Sequence, residues 1–416
     1  MSKSVESVNP VGEVRKHRIL EIDYIKAFCI LAMILVHCYE ELYDGDGSGT
    51  SMLFVDVLNN IVGASAFMFC MGFTMDLGKV KSAVSCFQRG AIILLSGLFL
   101  NFIRSPLVLC THFFTDDPVI VFRSMIDVMA VDILPFAGMA FLFMGLLKLC
   151  KLKPWGIFVV SVVISGIGTA LRYTDVGSPV GNSLLGLLIG SAAESYFPLC
   201  HWFIFVAAGN LYRSYYTKIE DKKKYYRIAL PVSAVLSAIY VFLASNEIGP
   251  FQCLGEELYY YTWMNPCDAI GSIFCTITYM GIMWLLAQLV EKIQPKFHPL
   301  SYLAKNLTNL YFIHWIFLMV VEFVFMEGFE LIPWPETDLA IFLYAIGFLA
   351  LTIVVYELFA KKWIEATFAS MGKHFAVWAV IIIVLVVICV SLAVANGLTE
   401  IPSFLNDYEI DGIPYL

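Results

Sequence analysis

The stretch Arg18-Ile-Leu-Glu-Ile-Asp23-Tyr-Ile-Lys26-Ala-Phe-Cys-Ile-Leu-Ala-Met-Ile-Leu-Val-His37 decides the reading of this chain. It is apolar enough to enter a bilayer, yet it takes Asp23, Lys26 and His37 in with it. A charged side chain near a bilayer centre costs about 2.5–3.5 kcal/mol on insertion scales, so such residues pair, face a wet cavity or do chemistry. Lys26 and His37 are separated by close to three helical turns, so both project from one face about 16 Å apart along the axis. Asp23 lies one turn before Lys26 on nearly the same stripe. The helix is expected to point inward to a site.

Composition agrees. Hydrophobic residues make up 60% of the chain and charged ones 14%, against about a quarter charged in an ordinary soluble domain. Apolar stretches of about 20 residues suit helices crossing a hydrocarbon layer of roughly 30 Å. They fall at 19–39, 52–76, 86–110, 131–150, 155–172, 197–213, 226–245, 267–290, 300–325, 338–360 and 375–396. The expected fold is all-α: a polytopic membrane protein of about eleven transmembrane helices. It forms one transmembrane domain over 19–396, after a segment 1–18 and before an acidic tail 397–416. Residues 117–130 and 182–196 read as interfacial or re-entrant pieces, which survive at depth only where protein or a wet cavity covers them. The first apolar run holds two charges and lacks a small-residue cleavage site, so it reads as a retained span. The eleven cysteines form no CxxC or Cys/His pattern, and no metal site is expected. Cys253 and Cys267 share one loop and are candidates for a disulfide.

The connecting segments alternate in charge. Arg15, Lys16, Lys79, Lys81, Lys148, Lys151, Lys153, Arg213, Lys218, Lys222–Lys224, Lys292, Lys361 and Lys362 fall on one side. Glu40, Glu41, Asp44, Asp116, Asp117, Glu256, Glu257 and the acidic run Glu327–Asp338 fall on the other. By the positive-inside rule the N-terminus is expected in the cytoplasm and the acidic tail outside. Asp23, Lys26, Arg89 and Asn306 then lie near cytoplasmic ends. His37, Arg104, Asp132, His201, Asp268 and Glu322 lie toward outer ends, with Asn309 and His314 between.

The order Arg18, Asp23, Lys26-Ala27 and His37 resembles the first-helix signature of the membrane-bound acyltransferase 3 family. Further segments are similar to the related heparan-alpha-glucosaminide acetyltransferase-like proteins. These are Ala64–Met75, Phe87-Gln-Arg89-Gly through Gly97, Phe197-Pro-Leu-Cys-His-Trp202, and Leu303-Ala-Lys-Asn306-Leu-Thr-Asn309-Leu-Tyr-Phe-Ile-His314-Trp. The matches run in order over roughly the first three-quarters of the chain. Lys26 stands where the family more often has Arg, and a lysine lacks the bidentate fork that recognises phosphate or carboxylate. The resemblance implies an acyltransferase that moves an acyl group, commonly acetyl from acetyl-CoA, to a hydroxyl or amine of a surface molecule.

Within that reading His37 is the candidate catalytic residue, since transfer from a thioester needs a base near pH 7. Glu40 and Glu41 lie one turn further on, and Glu41 is taken with His37 as catalytic because either carboxylate could set the ring tautomer. An acyl-histidine route needs the same imidazole and is not separable from base catalysis by sequence. Lys26 and Arg89, with Asp23, are candidates to hold the CoA head by charge. Asp23 and Lys26 forming a neutral i,i+3 pair, and Arg89 reflecting ordinary positive-inside bias, are the plainer alternatives. Asn309, His314, His201 and Arg104 are candidate acceptor-side residues, and interhelical hydrogen-bond glue is the alternative for each. Acetyl-CoA is the expected donor, with no metal. The expected partners are acyl-CoA, a carbohydrate or other small surface acceptor and the lipid bilayer, without nucleic acid; a homodimer stays open. With no organelle signal, a plasma membrane (a bacterial inner membrane) is the expected location. The rival reading is a secondary transporter or flippase with Asp23, Lys26, His37 and His314 as a relay. The odd span count and the lack of an internal repeat weigh against it.

Overall fold

The computed structural model describes residues 19–43, 63–77, 82–111, 125–192, 194–255, 261–293 and 299–395, with the short pieces 409–410 and 413–414. Among the described residues the regular elements are helices, apart from a two-residue antiparallel pairing of Glu409–Ile410 with Ile413–Pro414. In chain order the helices are α1 (Leu20–Leu42), α2 (Ala64–Met75), α3 (Ala83–Thr111), α4 (Ile133–Leu149), α5 (Pro154–Leu171), α6 (Pro179–Gly186) and α7 (Leu199–Tyr216). They continue with α8 (Lys222–Ser245), α9 (Pro266–Ile293), α10 (Pro299–Met319), α11 (Asp338–Val355), α12 (Lys361–Lys373) and α13 (Phe375–Ala395). Wide π turns extend α10 over Val320–Gly328 and join α11 to α12 over Tyr356–Ala360.

Each of the eleven apolar segments read from sequence contains a helix. Eight helices among the described residues are long and apolar enough to cross a membrane; α2 and α4 are shorter apolar helices. The first half of the second segment, 52–62, lies outside the described residues, and so does the core of the 117–130 piece up to residue 124.

Close helix contact decides the packing. A Cβ on Gly72 of α2 would sit 1.9 Å from the Val206 carbonyl oxygen, and one on Gly209 of α7 would sit 2.0 Å from that of Phe69. Only a missing side chain on each helix lets these two backbones touch, which is how helices associate where lipid removes the hydrophobic drive. Around α2, α7 and α1 gathers the main core, with Phe69, Phe73, Trp202, Phe203 and Phe205 fully buried.

The two irregular segments satisfy each other. Val131 N–H donates to Glu194 O at 2.9 Å, and Phe197 N–H donates to Val131 O at 2.9 Å. Asn101 of α3, buried, donates to the carbonyls of Val128 at 3.3 Å and Ala130 at 2.8 Å. Non-helical backbone thus stays bonded inside the protein, as burial away from water demands. This pairing also sets Asp132 and Phe197 beside one another at the end of α4.

At the opposite end of the bundle Asp76, which caps the C-terminus of α2, gathers three donors. Lys148 Nζ lies 2.5 Å from Oδ1; Arg213 Nη2 and Asn210 Nδ2 lie 2.9 and 2.8 Å from Oδ2. An acidic group at a helix C-terminus opposes the dipole, so the two cations are what make it tolerable there. The expected Cys253–Cys267 disulfide does not form: both are free thiols. Cys253 is instead buried against Tyr240 and Asp268, while Asp268 holds that loop by accepting from Gln252 N–H at 3.1 Å and Asn265 Nδ2 at 2.6 Å.

Replacing Asp76 by alanine removes the carboxylate that Lys148 and Arg213 share. The loss is expected to be about 3 kcal/mol, the low end for breaking a buried pair, because these side chains keep 15–20% exposure. Thermal unfolding of purified protein in detergent checks it; a transition unchanged from the parent would show that the cluster does not hold the bundle.

Candidate active site

A cleft opens between α1 and α2. Its α1 wall is Cys29, Ile30, Ala32, Met33, Val36 and His37, and its α2 wall is Gly63, Ala64 and Phe67. Asp132, Ile133, Phe197, Leu307 and Tyr311 close the far side, around about 600 Å³ of empty space including the open mouth. The α1 residues fall at helical spacing on one stripe, and one turn further along it comes Lys26. Of the residues read on this stripe from sequence, His37 lines the cleft, while Lys26 and Asp23 lie below it. Below the cleft Lys26 Nζ donates to Thr74 Oγ1 at 3.2 Å, and Thr74 Oγ1 donates in turn to Cys70 O at 2.8 Å. A cation thus marks one end of the stripe and an imidazole the other.

His37 Nδ1 lies 3.1 Å from Glu40 Oε2. An ionised carboxylate only accepts, so the proton of a neutral ring sits on Nδ1 and the lone pair is left on Nε2. Sequence reading paired Glu41 with His37 as catalytic; the structure makes Glu40 the hydrogen-bond partner. Residue 40, three positions on, reaches back to the ring with a hydrogen bond, while Glu41 lies within coulombic reach of Arg104, Glu40, His37 and Asp127. Facing His37, Trp315 packs with ring centroids 4.3 Å apart, and His314 stacks at 5.7 Å with planes 20° apart.

Asp132 anchors the far wall. Its Oδ1 accepts from Ile133 N–H at 2.6 Å, capping α4. Its Oδ2 accepts from Arg104 Nη1 at 3.1 Å and from Tyr311 Oη at 2.6 Å. The Arg104 guanidinium also lies 3.6 Å from the Trp315 ring centroid, a cation–π contact in a desolvated setting. Charge, cap and hydroxyl are all satisfied, as a buried carboxylate requires.

The other sequence candidates scatter. Arg104 and His314 join the cluster, although His314 spends Nδ1 on the Tyr311 carbonyl at 2.6 Å. Asn309 does not face the cleft: it donates to Tyr356 Oη at 2.8 Å, and Tyr356 Oη donates to Asn306 Oδ1 at 3.3 Å. The reason is rotational, since Asn309 is two residues from both Leu307 and Tyr311, about 200° around the helix. His201 is fully buried with Nδ1 3.0 Å from Met264 O, packed against Gly168 of α5, and does not line the cleft. Arg89 is exposed near the start of α3 and Asp23 sits one turn below Lys26; neither lines the cleft. Tyr311 and Trp315 were missed from sequence. Tyr311 was discoverable, lying at i+4 from Leu307 and i−3 from His314; Trp315 carried no signal of its own.

The apolar helices around this cleft define a multi-pass membrane protein. The family model described as heparan-alpha-glucosaminide N-acetyltransferase, catalytic, matches residues 18–243, more than half of the chain. The chain belongs to that family, and its function is transmembrane acetyltransferase-like. Comparison with curated proteins and with solved structures finds no match. The family match covers α1 through most of α8, so Leu307, Tyr311, His314 and Trp315 of α10 come from beyond it.

Two substitutions separate the wall from the glue. Tyr311→Phe removes a hydrogen bond to a charged acceptor and is expected to cost about 1.5–3 kcal/mol of stability. Asn309→Ala is expected to cost about 1 kcal/mol and to leave acetyl transfer within twofold of the parent. A large loss of transfer in Asn309→Ala, measured with labelled acetyl-CoA, would return that residue to the site.

Proposed function

We propose that this protein takes acetyl from cytoplasmic acetyl-CoA and passes it to a hydroxyl or amine of an acceptor, a glycan, reached from the opposite face of a plasma membrane. The observation that carries the reading is the single stripe of α1 that rises from Lys26, bonded to Thr74 below the cleft, to His37 in the cleft wall. The roughly 16 Å between them on a straight helix suits an extended pantetheine arm. Lys26, at the foot, would meet the phosphate-bearing end of the donor, with Arg89 and Asp23 shaping the charge around it. His37, at the top, would meet the thioester. Kinship with the acyltransferase 3 family is part of this reading, supported by the order Arg18, Asp23, Lys26, His37.

The chemistry follows from the Nδ1–H tautomer. His37 Nε2 takes the proton as the acceptor oxygen or nitrogen attacks the thioester carbonyl. The tetrahedral adduct collapses, the carbon–sulfur bond breaks, and the CoA thiolate leaves with the proton that Nε2 returns. Glu40, bonded to Nδ1, stabilises the imidazolium between those two moments, as a carboxylate does behind any histidine base. A two-step variant in which Nε2 itself attacks the thioester uses the same atoms in a different order.

Purified protein incubated with radiolabelled acetyl-CoA and a panel of sugars and amino sugars tests the reading. His37→Gln is expected to lower transfer about 10²–10⁴-fold, the range of a general base, while remaining monodisperse. Counterflow of label without transfer would overturn the enzyme in favour of a transporter. The orientation has its own test in Cys150, which is exposed between α4 and α5. An impermeant maleimide should label it only after the membrane is opened; labelling of intact cells or right-side-out vesicles would reverse the topology.

A further inference from the structure

We propose that Trp315 is the positioning residue for the His37 imidazole, and that the second half of the chain thereby completes a site whose base lies on the first helix. This rests on the catalytic reading of His37 above. His37 has one side-chain hydrogen bond among the described residues, to Glu40, and that carboxylate is 46% exposed. A single bond at Nδ1 fixes one point of the ring and leaves its plane free to swing. The plane is set instead by two neighbours on α10. Trp315 packs at 4.3 Å and 43°, His314 at 5.7 Å and 20°, and both are buried.

The indole is itself prevented from yielding. Arg104 of α3 lies 3.6 Å from its ring centroid, and Arg104 is tied to Asp132 at 3.1 Å. Asp132 is tied to the N-terminus of α4 and to Tyr311, one turn before Trp315 on α10. The chain of contacts from Asp132 to Arg104 to Trp315 to His37 thus carries the rigidity of three helices to one ring. Within a bundle this matters because a misplacement of about 1 Å in a reacting group costs on the order of 100-fold in rate. His314 supplies the second wall without an exposed surface, and its Nε2 has no partner among the described residues. It therefore confines the ring by contact and not by hydrogen bonding.

The test uses full-length protein carrying Trp315→Ala, Trp315→Leu or Trp315→Phe. Trp315→Ala and Trp315→Leu are expected to lower kcat about 100-fold with KM for acetyl-CoA within twofold, because the Lys26 end of the cleft is untouched. Trp315→Phe, which keeps a flat wall, should recover most of the loss. An independent readout follows the rate at which diethyl pyrocarbonate modifies His37, measured on its peptide by mass spectrometry. That rate should rise severalfold in Trp315→Leu and stay near the parent in Trp315→Phe, with buried His201 as the internal control. An unchanged kcat and an unchanged modification rate in Trp315→Leu overturn the assignment. A fall in kcat that Phe does not rescue, with the His37 rate unmoved, also overturns it, as the mark of a general packing defect. If the parent protein transfers no acetyl at all, the catalytic reading falls, and the modification rates still decide whether Trp315 holds the ring.

Discussion

The structure depends on one carboxylate that could not otherwise exist where it is. Asp132 sits at the start of α4 lining the cleft, with its side chain only 10% exposed, where an unpaired charge is costly. Three groups make it tolerable: its own helix N-terminus, Arg104 and Tyr311. They come from α4, α3 and α10, so satisfying one charge obliges three helices to converge. The cleft exists because they do. Its far wall is the surface of that convergence, and the irregular backbone of 130–132 and 194–197 is pinned beside it by reciprocal hydrogen bonds.

Asp76 plays the corresponding part at the other end. It draws Lys148 and Arg213 to the C-terminus of α2 and so joins α2, α4 and α7. Between the two carboxylates, α2 and α7 approach so closely that glycine is required at Gly72 and Gly209. The wall of α2 that faces His37 is therefore held at both levels, by steric contact along its length and by charge at its end. Against that wall α1 is free to present a single stripe, from Lys26 bonded to Thr74 up to His37 bonded to Glu40.

How much of this was legible in the sequence differs between the two halves of the site. That Lys26 and His37 share one face of α1 was legible because helical periodicity is local and needs no partner to compute; that His37 and not Lys26 lines the cleft was not. Arg104 and Asp132 were assigned to the same depth from charge alternation, and they meet. Asn309 was misplaced because its depth was read and its rotation about α10 was not. Which of Glu40 and Glu41 hydrogen-bonds His37 was not legible, since both lie one turn from it: Glu40 makes the bond, while Glu41 sits within coulombic reach of both His37 and Arg104. Tyr311 and Trp315 stood inside the family-like stretch around His314 but were given no role, because the sequence does not show what an aromatic ring in an apolar helix faces.

By itself, the sequence determined the membrane class, the helical segments, the inward-facing first helix and the resemblance that the family match over 18–243 supports. These follow from hydrophobicity, period and charge, quantities that sum along the chain. Only the tertiary structure decided which ring packs on His37, which carboxylate bonds it and which polar residues of α10 look into the cleft. Those depend on the rotation and approach of helices distant in sequence, and a few tens of degrees about a helix axis is enough to turn a site residue into an interhelical tie.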